Sequence, residues 1–317
     1  MYKININVGI LAIAVFLTTL TSCEQENDEL LTESEISLEE EFVEEKNLFA
    51  KGTCDTNNYA PIDAITGTDY NAKVNSKIDD RSCTYDYKQS KYGSSFNWGG
   101  YRLNSANNNS GKLQVRMERT TSKLNYSDGK YIQIKGTVRI LNAGEVTDNH
   151  SDTSMSDNDG TYIAQVKGKH DKIIEGSESK DPAIALFIAK PKRRDGGKGS
   201  IIKENGQVKE FKIFSEQVKK RGGSGSSGRK LVYITTVKRN KDFFVDIKSR
   251  FETVNGIKRQ YIDYTINGVS KSITVSVQNT AGQATDPVET RIRMGAYRCK
   301  GGKAEILWKD DLIVKKN

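Results

Sequence analysis

Tyr131-Ile132-Gln133-Ile134-Lys135-Gly136-Thr137-Val138-Arg139-Ile140 is the stretch on which the fold turns. Ile132, Ile134, Val138 and Ile140 occupy alternate places, with Tyr131, Gln133, Lys135 and Arg139 between them. A strand sends successive side chains to opposite faces, so this segment has one face for a core and one for water or ligand. A helix would scatter the same residues around its circumference.

The alternation recurs along the chain. It predicts strands at 112–120, 130–141, 160–168, 182–190, 207–214, 229–238, 242–251, 257–266, 269–277, 290–298 and 303–315, with turn residues between them. Many short strands separated by turns give an all-β fold, an antiparallel β-sandwich of the β-jelly-roll kind. Residues 51–110 are polar and rich in Asn, Ser and Tyr, with weak strand signals near Tyr70–Ile78 and Ser82–Lys88. They read as sheet edge and loops. Only four prolines occur and no Pro-rich linker, so 51–317 is expected to be one domain.

Several of the polar strand faces carry more than ordinary solvating groups. Leu113, Val115 and Met117 oppose Lys112, Gln114, Arg116 and Glu118; Tyr162, Ala164 and Val166 oppose Ile163, Gln165 and Lys167; Ile292, Met294 and Ala296 oppose Arg291, Arg293 and Tyr297. If these strands and 130–140 share a sheet, their Arg, Lys, Gln and Tyr pool into a concave basic groove suited to an anionic chain. If they do not, each polar face simply meets water, as in any half-buried antiparallel sheet. Long polar loops at 142–159, 191–200 and 221–229 are of the kind that can serve as lids, although the Gly/Ser stretch 221–229 reads first as a flexible surface loop.

Lys3, the apolar run Val8 to Leu17 and Leu20-Thr21-Ser22-Cys23 form a targeting segment, too short for a permanent span. The tetrapeptide resembles the lipobox of bacterial lipoproteins, which implies a signal peptide over 1–22 and lipidation at Cys23. Residues 24–46 hold eleven Asp/Glu against one Lys, so 23–50 reads as an acidic tether. An acidic stretch at this place also resembles the surface-export signal of Bacteroidetes lipoproteins, implying a lipid-anchored protein on the extracellular side of the outer membrane. Residues 47–317 contain 47 of the 49 Lys/Arg and 30 of the 41 Asp/Glu, a net of +17. A basic body outside the cytoplasm is expected to meet acidic polysaccharide rather than nucleic acid, and a monomer is expected. With Cys23 acylated, Cys54–Cys83 is the simplest disulfide, and Cys299 remains an alternative partner.

Three blocks carry a further resemblance: Gln114-Val115-Arg116-Met117-Glu118-Arg119, Tyr162-Ile163-Ala164-Gln165-Val166-Lys167, and Arg293-Met294-Gly295-Ala296-Tyr297-Arg298 with Ala304-Glu305-Ile306. In order and content they resemble the blocks of jelly-roll polysaccharide lyases, the alginate lyase type with its ulvan and glucuronan lyase relatives, over roughly residues 100–317. The resemblance implies Arg116, Gln165, Lys167 and Tyr297 as catalytic positions. Alginate lyases of this type carry His where this chain has Lys167, and a second Arg where it has Thr120. These departures move the expected substrate from alginate towards another uronate polymer, with ulvan preferred.

Such a reaction is β-elimination: the uronate carboxylate is neutralised, the C5 proton removed and the leaving oxygen protonated. Arg116 and Gln165 suit the carboxylate, Tyr297 the acid, and Lys167 or a histidine the base. Arg291, Arg293, Arg298, Lys135, Arg139, His150 and His170 are the expected substrate-binding groups. A non-catalytic glycan-binding lipoprotein using the same groove is the alternative. Glu118 and Glu305 are the carboxylates a glycosidase reading would need, and nothing in the sequence pairs them. No cofactor is expected. Asp157-Asn158-Asp159-Gly160 has oxygen donors for a structural Ca²⁺ but lacks the spaced ligands of an EF-hand loop and reads as a turn.

Overall fold

The computed structural model describes residues 62–63, 77–80, 89–92, 95–104, 116–144, 151–153, 160–171, 183–223, 225–297 and 303–316. The first strands are β1 (Ile62–Asp63), β2 (Lys77–Asp80), β3 (Gln89–Tyr92), β4 (Ser95–Asn104), β5 (Arg116–Thr120) and β6 (Leu124–Asn125). Next come β7 (Tyr131–Ala143), β8 (Thr161–His170), β9 (Ala183–Pro191), β10 (Lys203–Glu204), β11 (Gln207–Val208) and β12 (Glu210–Val218). The last are β13 (Arg229–Lys238), β14 (Phe243–Val254), β15 (Ile257–Ile266), β16 (Val269–Thr274), β17 (Pro287–Tyr297) and β18 (Lys303–Lys316). Helix among the described residues is limited to single turns at Asp195–Gly197 and Gly225–Gly228.

The strands form an antiparallel β-sandwich of jelly-roll type. One sheet runs β1-β2-β5-β17-β8-β9-β12-β13, with β6 also on β17, and the other runs β16-β15-β14-β7-β18-β4-β3. A two-stranded ribbon, β10-β11, stands apart. Between the main sheets, Ile132, Ile134, Val138 and Ile140 of β7 and Val245, Ile247 and Phe251 of β14 join one core with Ala164, Val166, Phe187, Ile213, Ile292 and Met294. Each large aliphatic side chain so buried contributes roughly 1.5–3 kcal/mol, and that burial fixes register, because a one-residue slip would turn every core residue outwards.

Local turn chemistry agrees with the pairing. Asn255-Gly256 joins β14 to β15 and Asn267-Gly268 joins β15 to β16, all four residues having positive φ near 50° or 80°. Those are two-residue hairpin turns whose twist matches that of the strands they connect, and Asn-Gly is the pair that adopts them most readily.

The predicted 207–214 strand lies instead at Glu210–Val218, because Asn205-Gly206 first closes the β10–β11 ribbon. β4 lies in the region read as edge and loops. Its Trp98, Tyr101 and Leu103 are buried, but Gly99-Gly100 interrupts the apolar alternation that would have marked the strand. Near Tyr70–Ile78 the described strand is Lys77–Asp80. Residues 1–50, with Cys23 and the acidic tether, lie outside the described residues, as do Ser82–Lys88, Cys54, Cys83, Cys299 and Asp157 to Asp159.

Candidate active site

The site is built by register. Strand β17 lies between β5 and β8, pairing Tyr297 with Arg116, Gly295 with Glu118 and Arg293 with Thr120 on one side. On its other side Arg293 pairs with Gln165, Arg291 with Lys167 and Tyr297 with Tyr162. Directly paired residues share a sheet face. Since Met117, Ala164, Val166, Ile292, Met294 and Ala296 all enter the core, the opposite face gathers Arg116, Glu118, Gln165, Lys167, Arg291, Arg293 and Tyr297.

Glu118 is the hub of this face; the sequence placed it on the polar side of its strand, but the one role it suggested was half of an unpaired glycosidase couple. It is 1% exposed. Its carboxylate lies 3.5 Å from Arg116 and 3.5 Å from Arg293, and accepts a 2.5 Å hydrogen bond from the Gln165 amide. A buried carboxylate needs such compensation, and the compensation in turn fixes three side chains in one place. One of Gln165's two amide hydrogens is thereby committed.

Lys167 sits among cations. Burial, then the positive charges of Arg293, Arg291 and Arg116, push its pKa from the usual lysine value down to about 7, against the opposing pull of Glu118. A lysine in that range holds an appreciable neutral fraction near neutral pH and can accept a proton. Its backbone is held from within the sandwich: the Thr290 hydroxyl bonds Lys167 O at 3.0 Å and the Ser249 hydroxyl of the other sheet at 2.9 Å.

Tyr297 lies between a cation and an aromatic ring. The Arg116 guanidinium is 4.5 Å from its ring centroid, and the Tyr162 ring is 5.6 Å away at 31°. Tyr162 was expected on the core face with Ala164. A bulge between Tyr162 and Ala164 in the β8–β9 pairing reverses that phase, so Ile163 enters the core while Tyr162 packs on the site face. The Tyr162 hydroxyl donates to Glu216 at 2.5 Å, and Glu216 lies 3.3 Å from Arg229. Gly295 supports the same corner at φ 134°; a Cβ there would lie 2.5 Å from Met117 O and 2.6 Å from the Tyr101 ring.

Other expected groups lie elsewhere. Lys135 and Arg139 are on β7 in the opposite sheet, so their polar face does not pool with that of β5, β8 and β17. Arg139 instead pairs with Asp242 at 2.7 Å and covers Trp98. Alternation places His170 on the face opposite Lys167, where it lines a small cavity with Gly168, Ala183, Ile184, Val218, Arg221 and Gly222. Burial and the Arg221 charge lower its pKa. His150 and Arg298 lie outside the described residues. Glu118 and Glu305 are on different sheets, Glu305 bound to Arg102 at 2.6 Å, which removes them as a hydrolytic pair. Among the described residues no group of three or more His, Cys, Asp or Glu gathers as a metal ligand set.

Comparison with known proteins bears on this geometry. A family model described as PL28 ulvan lyases matches residues 39–317. The chain is 36% identical over 244 residues to an endo-acting ulvan lyase of Formosa agariphila, and 32% identical over 246 residues to ulvan lyase NLR42 of Nonlabens ulvanivorans. Each match covers 75% of this chain and 42% of the relative, so the chain spans less than half the length of either. Among solved structures, the exolytic PL7 alginate lyase AlyA5 from Zobellia galactanivorans is similar with a TM-score of 0.47 at 9% identity, covering 83% of this chain and 96% of that one.

Proposed function

Since this chain belongs to the PL28 ulvan lyase family, we propose that it cleaves ulvan internally by β-elimination at a uronate. The observation that carries the proposal is the meeting of Tyr297, Arg116, Gln165 and Lys167 on one face of three adjacent strands, with Lys167 pushed down to about 7.

Arg116, Arg293 and the remaining Gln165 N–H receive the uronate carboxylate, stabilising the negative charge that builds there as the C5 proton leaves. The neutral Lys167 amine takes that proton. The C5–H electrons become the C4–C5 double bond, the bond from C4 to the glycosidic oxygen breaks, and the Tyr297 phenol protonates the departing oxygen. Lys167 then returns its proton to solvent and Tyr297 regains one. The basic surroundings of Lys167 serve twice, holding the polyanion and keeping the amine neutral. Upstream, Leu20-Thr21-Ser22-Cys23 and the acidic tether support a lipid-anchored position at the cell surface, with the anionic polymer as the partner.

The deciding experiment mixes the protein separately with ulvan, alginate, glucuronan and a glycosaminoglycan panel and follows the ultraviolet absorbance of the unsaturated uronate. A rise with ulvan alone is the expected result. A rise with another polymer instead would replace the substrate, and retarded migration in a polymer-containing gel without any rise would make this a glycan-binding surface.

A further inference from the structure

The pairing register draws a line across the large sheet. Tyr297 of β17 is opposite Tyr162 of β8, Tyr162 opposite Ile188 of β9, Ile188 opposite Phe214 of β12, and Phe214 opposite Tyr233 of β13. All five side chains therefore lie on the face of the candidate active site, in a row perpendicular to the strands. Four interstrand spacings of about 4.8 Å give the row a length of about 19 Å.

The row changes character along its length. On the β5 side Tyr297 meets the Arg116 guanidinium, whereas on the other side Tyr162, Leu186, Ile188 and Phe214 form a separate apolar cluster with Tyr297 and Leu231 packed against it. Tyr162, Ile188 and Phe214 are at most 8% exposed and act as a floor, while Tyr233, at the far end, is 48% exposed. The Tyr233 ring stands edge-on to Phe214 at 5.6 Å and its hydroxyl bonds Thr236 at 2.9 Å. β13 is the edge strand of its sheet, so the row ends at an oriented aromatic ring open to solvent. A sugar ring has a C–H face that packs on aromatic rings and hydroxyls that stay wet, and tyrosine offers a matching apolar body and polar tip.

We propose that Tyr233 is a distal sugar-binding subsite, stacking a pyranose ring of the same polysaccharide chain whose reacting uronate lies at Tyr297. The inference rests on the polysaccharide-cleaving function proposed above for the face that carries Tyr297. It makes Tyr233 a determinant of chain-length preference rather than a catalytic residue, because the uronate carboxylate and the reacting bond lie at the other end of the row.

The test compares the wild type with Tyr233→Ala, Tyr233→Trp and, as a control on an exposed ring of the opposite sheet, Phe244→Ala, using ulvan polymer and short ulvan oligosaccharides. For Tyr233→Ala, KM on polymer is expected to rise about three- to tenfold, a loss of roughly 0.7–1.4 kcal/mol of binding, with kcat and short-oligosaccharide turnover unchanged. Tyr233→Trp should stay close to wild type, as should Phe244→Ala. Equal KM and equal product lengths for wild type and Tyr233→Ala would overturn the subsite. A wild type without turnover would overturn the lyase reading alone. Migration in a ulvan-containing gel then decides the subsite: lost retardation for Tyr233→Ala supports it, and unchanged retardation rejects it.

Discussion

Gln165 donates its amide to Glu118 over a distance of 2.5 Å although their strands are not neighbours: β17 runs between β8 and β5, and the bond crosses it. A single buried carboxylate thereby joins groups from all three strands, with Arg116 and Glu118 from β5, Arg293 from β17 and Gln165 from β8. Several consequences of this arrangement are open to measurement.

Glu118→Gln should lower stability by about 3 kcal/mol, since it removes a buried negative charge that lies against two buried guanidinium groups. Denaturant unfolding reads that loss. Glu118 also raises the pKa of Lys167, so its neutralisation should move the acid limb of the pH–rate profile to lower pH. A limb that stays in place would mean that Lys167 does not set it.

Under the proposed mechanism, wild-type kcat/KM on ulvan is expected to rise with pH through about 7 and then level, because a Lys167 amine acting as base has to be neutral. Lys167→Met should remove this limb together with turnover. The same depressed pKa costs stability. Below about 7 Lys167 is charged in both folded and unfolded chains, and the folded chain bears the full penalty. Between about 7 and the ordinary lysine value only the unfolded chain is protonated, and the penalty is progressively relieved. Lys167→Met should therefore melt higher than wild type at pH ~6, with the gap closing as pH rises towards ~10.

Tyr297→Phe keeps the ring between Arg116 and Tyr162 but removes the phenolic proton that the proposed mechanism delivers to the leaving oxygen. Turnover should fall roughly a hundredfold or more, with polymer retardation in gels preserved. Loss of both together would point to a binding role for the hydroxyl.

Gly295→Ala tests the corner that carries Tyr297. At φ 134°, and with a Cβ 2.5 Å from Met117 O, the alanine cannot be seated without moving β17 or β5. A loss of roughly 1–3 kcal/mol is expected, accompanied by lower kcat. Thermal unfolding separates this from a local effect: an unchanged melting temperature would show that the backbone yields.

Much of the sandwich is legible in the chain because period-two alternation is a local property. The run from Tyr131 to Ile140 has the same meaning whatever its neighbours, and the Asn-Gly turns at 255–256 and 267–268 specify their own hairpins. β4 escapes such reading because Gly99-Gly100 contributes no side chain to either face. Tyr162 escapes it for a different reason. One unpaired residue in a ladder reverses the phase of everything before it, and a bulge is decided by the partner strand, here β9.

The sequence by itself determined which residues are able to form strands, which face of most strands is polar, and that the C-terminal body carries excess positive charge, since these follow from side-chain order and composition. Only the tertiary structure decided which polar faces meet. β5, β17 and β8 became neighbours while the equally basic β7 went to the other sheet, because strand order is set by contacts between residues far apart in the chain. The same long-range pairing brought Glu118 to Gln165 and Arg293, buried Lys167 among arginines that help push its pKa down to about 7, and aligned Tyr233 with Tyr297 across five strands.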